Sequence, residues 1–228
     1  MTATRPDARA VTILSGGVSL HGDLQLPTVP LGLVLFAHGS GSSRKSPRNR
    51  FVADVLARAG IATLLFDLLT EAEEAVDLQT RALRFDIPLL GRRLSGATGW
   101  LLRQPQLAGL PLGYFGASTG AAAALAASCE WPQVVAVVSR GGRPDLAGPA
   151  LPQVQAATLL VVGGLDEQVI ELNRQALSQL KCEARLEIVP GATHLFEEPG
   201  TLARAADLAA AWFAGHFPAY DETERRAS

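Results

Sequence analysis

The sequence predicts an α/β protein in which helices cover both faces of a mostly parallel sheet, and two patterns indicate this fold class. The first is a set of short, uninterrupted apolar runs, which are typical of strands buried on both faces. These runs lie at residues 31–37, 61–66, 111–115, 134–138 and 158–162. The second pattern is the helical spacing of apolar residues between the runs. The alternation predicts a central sheet of about seven to eight strands.

The two ends of the predicted sheet differ from its centre. Residues 11–15 and 20–26 are expected to form an antiparallel pair of strands joined by Gly16 and Gly17. Residues 184–189 alternate in polarity more than the central runs do. We therefore expect this last strand to lie near an edge of the sheet, where fewer faces are buried.

Helices are predicted between the strands, and one region has a mixed pattern. The helical pattern over residues 78–102 is long, and we expect Pro88 and Gly91 to break it. The acidic residues 71–77 before it are expected to be a solvated loop and a helix start. Residues 139–157 leave room only for a turn or a short helix, so we expect a minimal cap over the sheet. The other predicted helices are residues 49–59, 119–128, 168–180 and 201–217.

The composition excludes several classes of protein. Of the 228 residues, 48% are hydrophobic and 18% are charged, which is too apolar for a disordered chain. Lys and Arg number 20 against 22 Asp and Glu, so the sequence has no basic footprint for nucleic acid. Two cysteines, Cys129 and Cys182, are not expected to make a disulfide framework or a four-ligand zinc site. We therefore expect no nucleic-acid partner and no metal.

We expect a single domain over residues 1–228, with flexible ends at residues 1–10 and 219–228. The beginning of the chain lacks an apolar stretch of signal-peptide length. No run reaches the roughly 18 apolar residues that a membrane helix needs. These observations predict a cytoplasmic protein with reduced thiols and no membrane partner, and they predict no particular oligomeric state.

A G-x-S-x-G motif follows the predicted strand at residues 111–115 and precedes a predicted helix. It reads Gly116-Ala-Ser118-Thr-Gly120. A serine at a sharp strand-to-helix turn sits in strained backbone, and only small neighbours leave room for that turn. An ordinary glycine-rich turn capped by a serine is the alternative. The flanking strand and helix favour Ser118 as a nucleophile.

A serine hydroxyl needs a base, and His194 is the strongest of the four candidates. It follows the strand at residues 184–189, which places it on the same rim of the sheet as the serine. His38 also follows a strand but opens a loop of small residues, where we expect a backbone role. His21 falls inside a strand. His216 falls near the end of the last helix and is expected to pack or face solvent.

The base needs an orienting acid, and Asp166 follows the strand at residues 158–162. The order along the chain is then serine, aspartate, histidine, which is one of the known chain orders of such catalytic triads. Asp145 and Glu167 are the rival acids. Asp145 lies in an Arg-Pro-Asp sequence and is equally suited to capping a turn.

Acyl transfer also needs donors for a developing oxyanion. The loop that begins at His38 is made of small residues, so its backbone N–H groups can turn inward. The candidate donors are the N–H groups of Thr119, Ser40 and Gly39. A flexible surface loop is the alternative reading of this segment.

Four arginines follow strand ends and are candidates for binding an anionic part of a substrate. They are Arg44, Arg48, Arg140 and Arg143. A solvated rim, or ion pairs that anchor loops, is the alternative that the residues favour. Asp67 and Asp145 are available as partners.

The sequence resembles an α/β-hydrolase and is most similar to the dienelactone hydrolase-like branch. The segments that carry the resemblance are HGSGSSRKSPRNR (38–50), GASTG (116–120), SRGGRPDLAG (139–148), GGLDEQV (163–169) and PGATHLFEE (190–198). The resemblance implies a Ser118, Asp166 and His194 triad and no cofactor. Dienelactone hydrolases proper use a cysteine nucleophile. Position 118 is serine, and Cys129 falls at the far end of the next predicted helix, so a general serine esterase is favoured.

The function expected from the sequence is hydrolysis of small carboxylic esters or lactones through an acyl-enzyme. The expected partner is a small-molecule ester. Two other classes stay open. One is an acyltransferase or thioesterase on the same triad, and the other is a non-catalytic binding protein of this fold.

Overall fold

The computed structural model describes residues 8–218 and contains one eight-stranded sheet. The strand order is β1-β2-β4-β3-β5-β6-β7-β8. All neighbours from β4 to β8 pair in parallel, whereas β2 pairs antiparallel with both β1 and β4. The strands are β1 Arg9–Ser15, β2 Val18–Gln25, β3 Leu33–Ala37, β4 Ala62–Phe66, β5 Leu112–Ala117, β6 Val134–Arg140, β7 Ala157–Gly163 and β8 Ala184–Val189.

Both edges of the sheet are formed by the strands that the sequence predicts there. Gly16 and Gly17 join β1 to β2 with φ values of 56° and 82°, in the left-handed region that a tight hairpin requires. The half-exposed strand β8 forms the far edge. Of the predicted flexible ends, residues 1–7 and 219–228 lie outside the described residues, whereas Arg9 and Ala10 belong to β1.

Helices cover both faces of the sheet, as the strand–helix alternation predicts. Helices α1 and α6 pack on one face, where Leu56 and Phe213 are fully buried. Helices α3 and α4 pack on the other face, where Leu94 and Leu125 are fully buried. The helices are α1 Pro47–Arg58, α2 Glu71–Thr80, α3 Ile87–Leu102, α4 Thr119–Ser128, α5 Glu167–Leu177 and α6 Thr201–His216.

The region before β5 differs from the prediction, because the break lies earlier than expected. Pro88 falls in the first turn of α3, where a missing N–H breaks no helical hydrogen bond. The Asp86 side chain caps this start by accepting from the Leu89 N–H at 2.9 Å. Gly91 lies inside the helix without interrupting it. The break is instead a left-handed residue, Arg81, at the end of α2.

The acidic stretch expected to be a solvated loop and a helix start is helical throughout and belongs to α2. Its start is a capping box, in which the Thr70 side chain accepts from the Glu73 N–H at 3.2 Å. The Glu73 carboxylate accepts in return from the Thr70 N–H at 2.8 Å. This reciprocal pair, with acidic residues in the first turn, stabilises the start of the helix at the first acidic residue.

The connection between β6 and β7 contains two 3₁₀ turns within Pro144–Gln153, separated by a kink at Gly148. No cap domain covers the carboxyl ends of the strands there, as the length of this connection predicts. Within residues 8–218, no helix is long and apolar enough to cross a membrane.

Candidate active site

Ser118 is the single residue between the end of β5 and the start of α4. Its backbone has φ 50° and ψ −123°, a combination that residues with a side chain rarely adopt. Because β5 is fully buried and α4 is nearly so, packing on both sides holds the turn in this conformation. The strained serine predicted from the motif is therefore present at the carboxyl edge of the sheet.

The two motif glycines explain how so sharp a turn packs. A Cβ at Gly116 would lie 2.4 Å from the Cα of Ala121, inside the first turn of α4. A Cβ at Gly120 would lie 2.1 Å from the carbonyl oxygen of Ala37 at the end of β3. Both positions therefore need glycine for close backbone approach rather than for flexibility.

Asp166 and His194 meet across the ends of the two last strands. Nδ1 of His194 lies 2.7 Å from Oδ2 of Asp166. An Nδ1–H that donates to this carboxylate leaves the other ring nitrogen, Nε2, free to accept a proton. The exposed fractions of the two side chains are 39% for His194 and 16% for Asp166, so the acid is the more buried of the two.

Backbone contacts bring these two loops together. The Leu165 N–H donates to the Ala192 carbonyl at 2.9 Å, which joins the turn after β7 to the loop after β8. The Glu198 carboxylate then closes the histidine loop by accepting from the Thr193 N–H at 3.0 Å and from the Thr193 hydroxyl at 2.6 Å. His194 is thus held on a loop with fixed ends.

Ser118 and His194 line one cavity of about 250 Å³ at the carboxyl edge of the sheet. The cavity is also lined by Arg48, Asn49 and Arg140 and by part of the loop after β3. Within the described residues no hydrogen bond joins the serine hydroxyl to the imidazole. Catalytic hydrogen bonds are often long without substrate and tighten when it binds. The structure therefore brings nucleophile and base candidates to one space.

The loop after β3 packs directly on the serine turn. A Cβ at Gly39 would lie 3.0 Å from the Cβ of Ser118, so the loop backbone touches the candidate nucleophile. The Ser40 hydroxyl lies 3.0 Å from the Thr119 hydroxyl and joins the loop to the start of α4. The first N–H groups of a helix have no intrahelical acceptor. Of the predicted oxyanion donors, Gly39 thus packs on Ser118, and Ser40 contacts Thr119, which follows Ser118 in the chain.

The first of the other three histidines, His38, has a structural role in this loop. His38 is buried, accepts from the Leu68 N–H through Nε2 at 3.0 Å and donates through Nδ1 to the Gly39 carbonyl at 3.0 Å. Burial lowers the pKa of His38, against smaller opposing effects of the hydrogen bond to Gly39 and of the Asp67 and Glu74 charges. The backbone role expected from the sequence is confirmed.

The remaining two histidines lie away from the cavity. His21 is exposed on β2. His216, at the end of α6, donates through Nδ1 to the Trp212 carbonyl at 2.7 Å and lies 3.3 Å from Glu183. His194 is therefore the histidine that faces Ser118.

The rival acids lie elsewhere. Asp145 accepts from Arg143 through both of its oxygens, at 2.8 and 2.7 Å. Glu167 is exposed in the first turn of α5. Neither contacts His194, so Asp166 is the carboxylate that orients the imidazole.

The four candidate arginines divide into two pairs. Arg44 forms ion pairs with Asp67 and Asp23, and Arg143 is held by Asp145. Neither Arg44 nor Arg143 lines the cavity, so these two anchor loops, as the favoured alternative predicts. Arg48 and Arg140 do line the cavity.

Asn49 is a cavity residue that the sequence reading missed. It is 2% exposed, and it lies on α1 with Val52, Ala53 and Leu56, which form the buried face of that helix. The spacing of these four positions is helical, so a polar residue on an apolar stripe was the available signal. Its amide oxygen accepts from Arg140 at 3.4 Å.

The described residues place neither a cysteine nor a metal-binding cluster beside Ser118. Cys129 lies at the carboxyl end of α4, the opposite end of the helix from Ser118. Among residues 8–218, no group of three or more His, Cys, Asp or Glu side chains is placed to hold a metal ion.

The sheet order and the minimal cap define an α/β-hydrolase fold. Two solved structures of low identity share it. Est1E from Butyrivibrio proteoclasticus is 16% identical with a TM-score of 0.75, over 91% of this chain and 98% of that one. The dienelactone hydrolase-like promiscuous phosphotriesterase P91, from metagenomic libraries, is 20% identical with a TM-score of 0.77, over 94% and 100%.

A nearer relative assigns the family. The dienelactone hydrolase from Anabaena variabilis is 58% identical to this chain, covers 94% of it and 100% of its own chain, and gives a TM-score of 0.92. The chain belongs to the dienelactone hydrolase family, as the sequence motifs indicate.

The curated relatives are longer proteins. Two Mycobacterium tuberculosis proteins, from two strains and provisionally named phosphoribosyl transferases, are 58% identical over 208 residues. The match covers 90% of this chain and 46% of theirs, so the chain spans about half the length of the curated relatives it matches. No family model matches the chain.

Proposed function

We propose that the protein hydrolyses small carboxylic esters or lactones through an acyl-enzyme on Ser118. The observation that carries the proposal is the 2.7 Å contact between His194 and Asp166 at a cavity that Ser118 shares. A base oriented by a carboxylate, beside a serine in a strained turn, is the arrangement that activates a hydroxyl for attack.

The proposed reaction has two halves. His194 accepts the Ser118 hydroxyl proton through Nε2 while the serine oxygen attacks the ester carbonyl. The imidazolium then gives this proton to the departing alcohol, and an acyl-serine remains. Water attacks the acyl-serine with His194 again as base, which releases the acid and restores the hydroxyl. Asp166 holds the imidazole through Nδ1–H and stabilises its charged form.

The oxyanion that develops during each attack needs donors. We assign these to the N–H group of Thr119, at the positive end of α4, and to the Ser40 or Gly39 N–H group of the loop after β3. The support is the packing of Gly39 on Ser118 and the hydroxyl contact between Ser40 and Thr119.

The size of the site favours short substrates. The cavity of about 250 Å³ is smaller than the usual pocket for a drug-sized ligand. A second cavity of about 50 Å³ shares Gly39, Ser40 and Ser42 with the first and is too small for a long acyl chain. Short esters and lactones fit this space.

The comparisons support hydrolysis rather than phosphoribosyl transfer. The solved relative that is 58% identical is named a dienelactone hydrolase, and the match covers the whole of that chain and 94% of this one. The phosphoribosyl transferase name belongs to proteins of which this chain spans about half. The groups around Ser118 are those that acyl transfer to water requires, and they support ester hydrolysis as the proposal for this chain.

The test is turnover of para-nitrophenyl esters from acetate to dodecanoate, with lactones as a second series. We expect the highest kcat/KM for the shortest acyl chains and a loss of about 10⁶-fold in kcat for Ser118→Ala. Turnover that survives in Ser118→Ala would overturn the proposal. Faster release of nitrophenol with added alcohol or thiol, with the acyl group found on the acceptor, would instead indicate an acyltransferase.

A further inference from the structure

The segment of residues 140–143, which connects β6 to the 3₁₀ turns, bonds to both backbone groups of Ser118. The Ser118 N–H donates to the carbonyl of Arg140, the last residue of β6, at 3.3 Å. The Ser118 carbonyl accepts from the Arg143 N–H at 3.1 Å. Because both polar groups of the strained serine are bonded to this segment, a shift of the segment would move the candidate nucleophile.

The same segment also lies against His194. A Cβ at Gly141, which has a φ of 51°, would lie 3.0 Å from the His194 carbonyl oxygen and 3.7 Å from Cε1 of its imidazole. Gly142 is enclosed as tightly, since its Cβ would lie 2.6 Å from the Cβ of Ala121 in the first turn of α4. Residues 140–143 therefore touch the serine, the histidine and the helix that begins beside the serine.

A buried side chain of α5, Asn173, bonds to this segment. Its amide nitrogen, Nδ2, donates to the Gly142 carbonyl at 3.0 Å and to the Val169 carbonyl, one helical turn earlier, at 2.7 Å. Since both acceptors are carbonyl oxygens, they fix which end of the amide faces the segment. Asn173 is 0% exposed, so these hydrogen bonds form away from bulk solvent.

One peptide group connects Asn173 to Ser118. The carbonyl of Gly142 accepts from Asn173, and the N–H of the same peptide group, which belongs to Arg143, donates to the Ser118 carbonyl. A peptide group is planar, and hydrogen bonds at its two ends polarise each other. Holding the oxygen end from α5 therefore fixes the direction of the N–H that holds the serine.

Helix stability does not account for an asparagine at position 173. Asparagine is a poorer helix former than alanine or leucine, and Asn173 lies on the buried face of α5 among apolar side chains. In the described part of the chain its Oδ1 is buried without a hydrogen-bond donor, which costs free energy. A sequence that breaks local rules in this way indicates a compensating contact, which here is the bond to Gly142.

The helix that carries Asn173 also begins at the candidate acid. Asp166 immediately precedes α5, and its carbonyl accepts from the Ile170 N–H at 2.9 Å. Asn173 follows about two helical turns later. The helix thus bears on the acid at its start and on the serine turn through the amide of Asn173.

We propose that Asn173 is a positioning residue for Ser118, and that its bond to the Gly142 carbonyl keeps the serine turn in the geometry that attack requires. Asn173 does not line the cavity that Ser118 and His194 share, so it acts through the segment of residues 140–143. As a statement about catalysis, this inference rests on the proposed ester hydrolysis. A remote change that misplaces a reacting group by about 1 Å costs on the order of 100-fold in rate.

The first test is hydrolysis of para-nitrophenyl acetate by Asn173→Leu, which keeps the approximate size of the side chain and removes the amide. We expect kcat per active site to fall by about 10- to 100-fold, with KM changed by less than about twofold. Active sites are counted by covalent labelling with a para-nitrophenyl phosphonate, because a loss of folded protein lowers this count but not the rate per site. Asn173→Ala is the second variant, in which the side chain is too small to overpack the site.

Ile170→Ala is the matched control. Ile170 is buried on the same helix and packs with Val162 and Val169, so this variant loses apolar contacts while the amide of Asn173 remains. It should have a lower urea midpoint than the parent and a kcat per active site within about twofold of it. If Asn173→Leu and Asn173→Ala match this control in kcat per active site, the inference fails while the proposed function stands.

Amide hydrogen exchange, followed by NMR, does not depend on turnover. In Asn173→Leu the Arg143 N–H should exchange at least about tenfold faster than in the parent. The Ile170 N–H, which is bonded within the start of α5, is the internal reference and should exchange at the parent rate. Faster exchange at Arg143 in a protein that hydrolyses no ester would support the hold of Asn173 on the serine turn and remove the proposed function. Unchanged exchange at Arg143 would refute the inference.

Discussion

Nδ1 of His194 lies 2.7 Å from Oδ2 of Asp166, although the two residues are 28 positions apart in the chain. The contact depends on the neighbouring order of β7 and β8, whose carboxyl ends meet at one edge. It fixes which imidazole nitrogen faces the cavity. The predictions below test this contact, the strained turn beside it and the loop that packs on both.

Replacing Asp166 by asparagine should lower kcat by about 10³- to 10⁴-fold, because an amide does not hold the imidazole in the useful tautomer. Steady-state kinetics on a para-nitrophenyl ester measures this change. Glu167→Gln is the matched control, because this neighbouring acid is exposed and does not contact His194. Equal losses in the two variants would contradict the assigned role of Asp166.

The strained backbone conformation at residue 118 should lower the free energy of unfolding of any variant that carries a side chain there. Glycine adopts its φ of 50° more readily than alanine does. We therefore expect Ser118→Gly to have a free energy of unfolding about 1 kcal/mol higher than Ser118→Ala, although both are inactive. Urea unfolding of the pair measures the difference. A Ser118→Ala variant as stable as Ser118→Gly would show that the turn holds no strain.

Gly120 should not tolerate a methyl group, because its Cβ would lie 2.1 Å from the Ala37 oxygen. We expect Gly120→Ala to destabilise the protein by about 3 kcal/mol and to displace the serine turn. Gly215→Ala is the control, since a Cβ at this α6 position meets nothing within 4 Å. That variant should gain up to about 1 kcal/mol, as helix propensity predicts. Thermal unfolding that ranks the two variants in the opposite order would refute the close-approach argument.

The buried histidine of the loop after β3 should make stability depend on pH. Burial lowers the pKa of His38 below 6.5 in the folded state, so between its folded pKa and 6.5 the unfolded chain binds more protons than the folded one does. Stability is then present above pH 6.5 and is lost as the pH falls below it. The slope from one such group reaches about 1.4 kcal/mol per pH unit.

The measurement is the urea midpoint between pH 5 and pH 8, roughly the window in which histidine titrates. His38→Gln should reduce the decline towards low pH relative to the parent. His21→Gln, which changes an exposed histidine, should not. Parallel pH curves for the parent and His38→Gln would contradict this account.

The serine turn was predictable from sequence because its determinants are local. Gly116, Ser118 and Gly120 lie within five residues, and each acts on the same turn. The apolar runs also give the strands in their order along the chain, and the serine, the acid and the histidine each follow one of these runs. The helix start expected within residues 71–77 also had a local signal, the capping box of Thr70 and Glu73, which places it at the beginning of the acidic stretch.

The burial of Arg140 at the cavity could not be predicted from the sequence in the same way. Four arginines follow strand ends, and the sequence does not separate them. The separation comes from contacts between distant segments, such as Arg44 with Asp67 and Arg48 with Glu197. Only after these pairs form is Arg140 left buried beside Asn49 without an acid within the described residues.

The most direct test of the account is covalent labelling by an active-site-directed phosphonate, mapped by mass spectrometry. We expect one label per chain, on the peptide that contains Ser118, with no label in Ser118→Ala and much slower labelling in His194→Ala. A label on another residue, or equal labelling rates in the parent and in His194→Ala, would contradict the claim that these side chains act together.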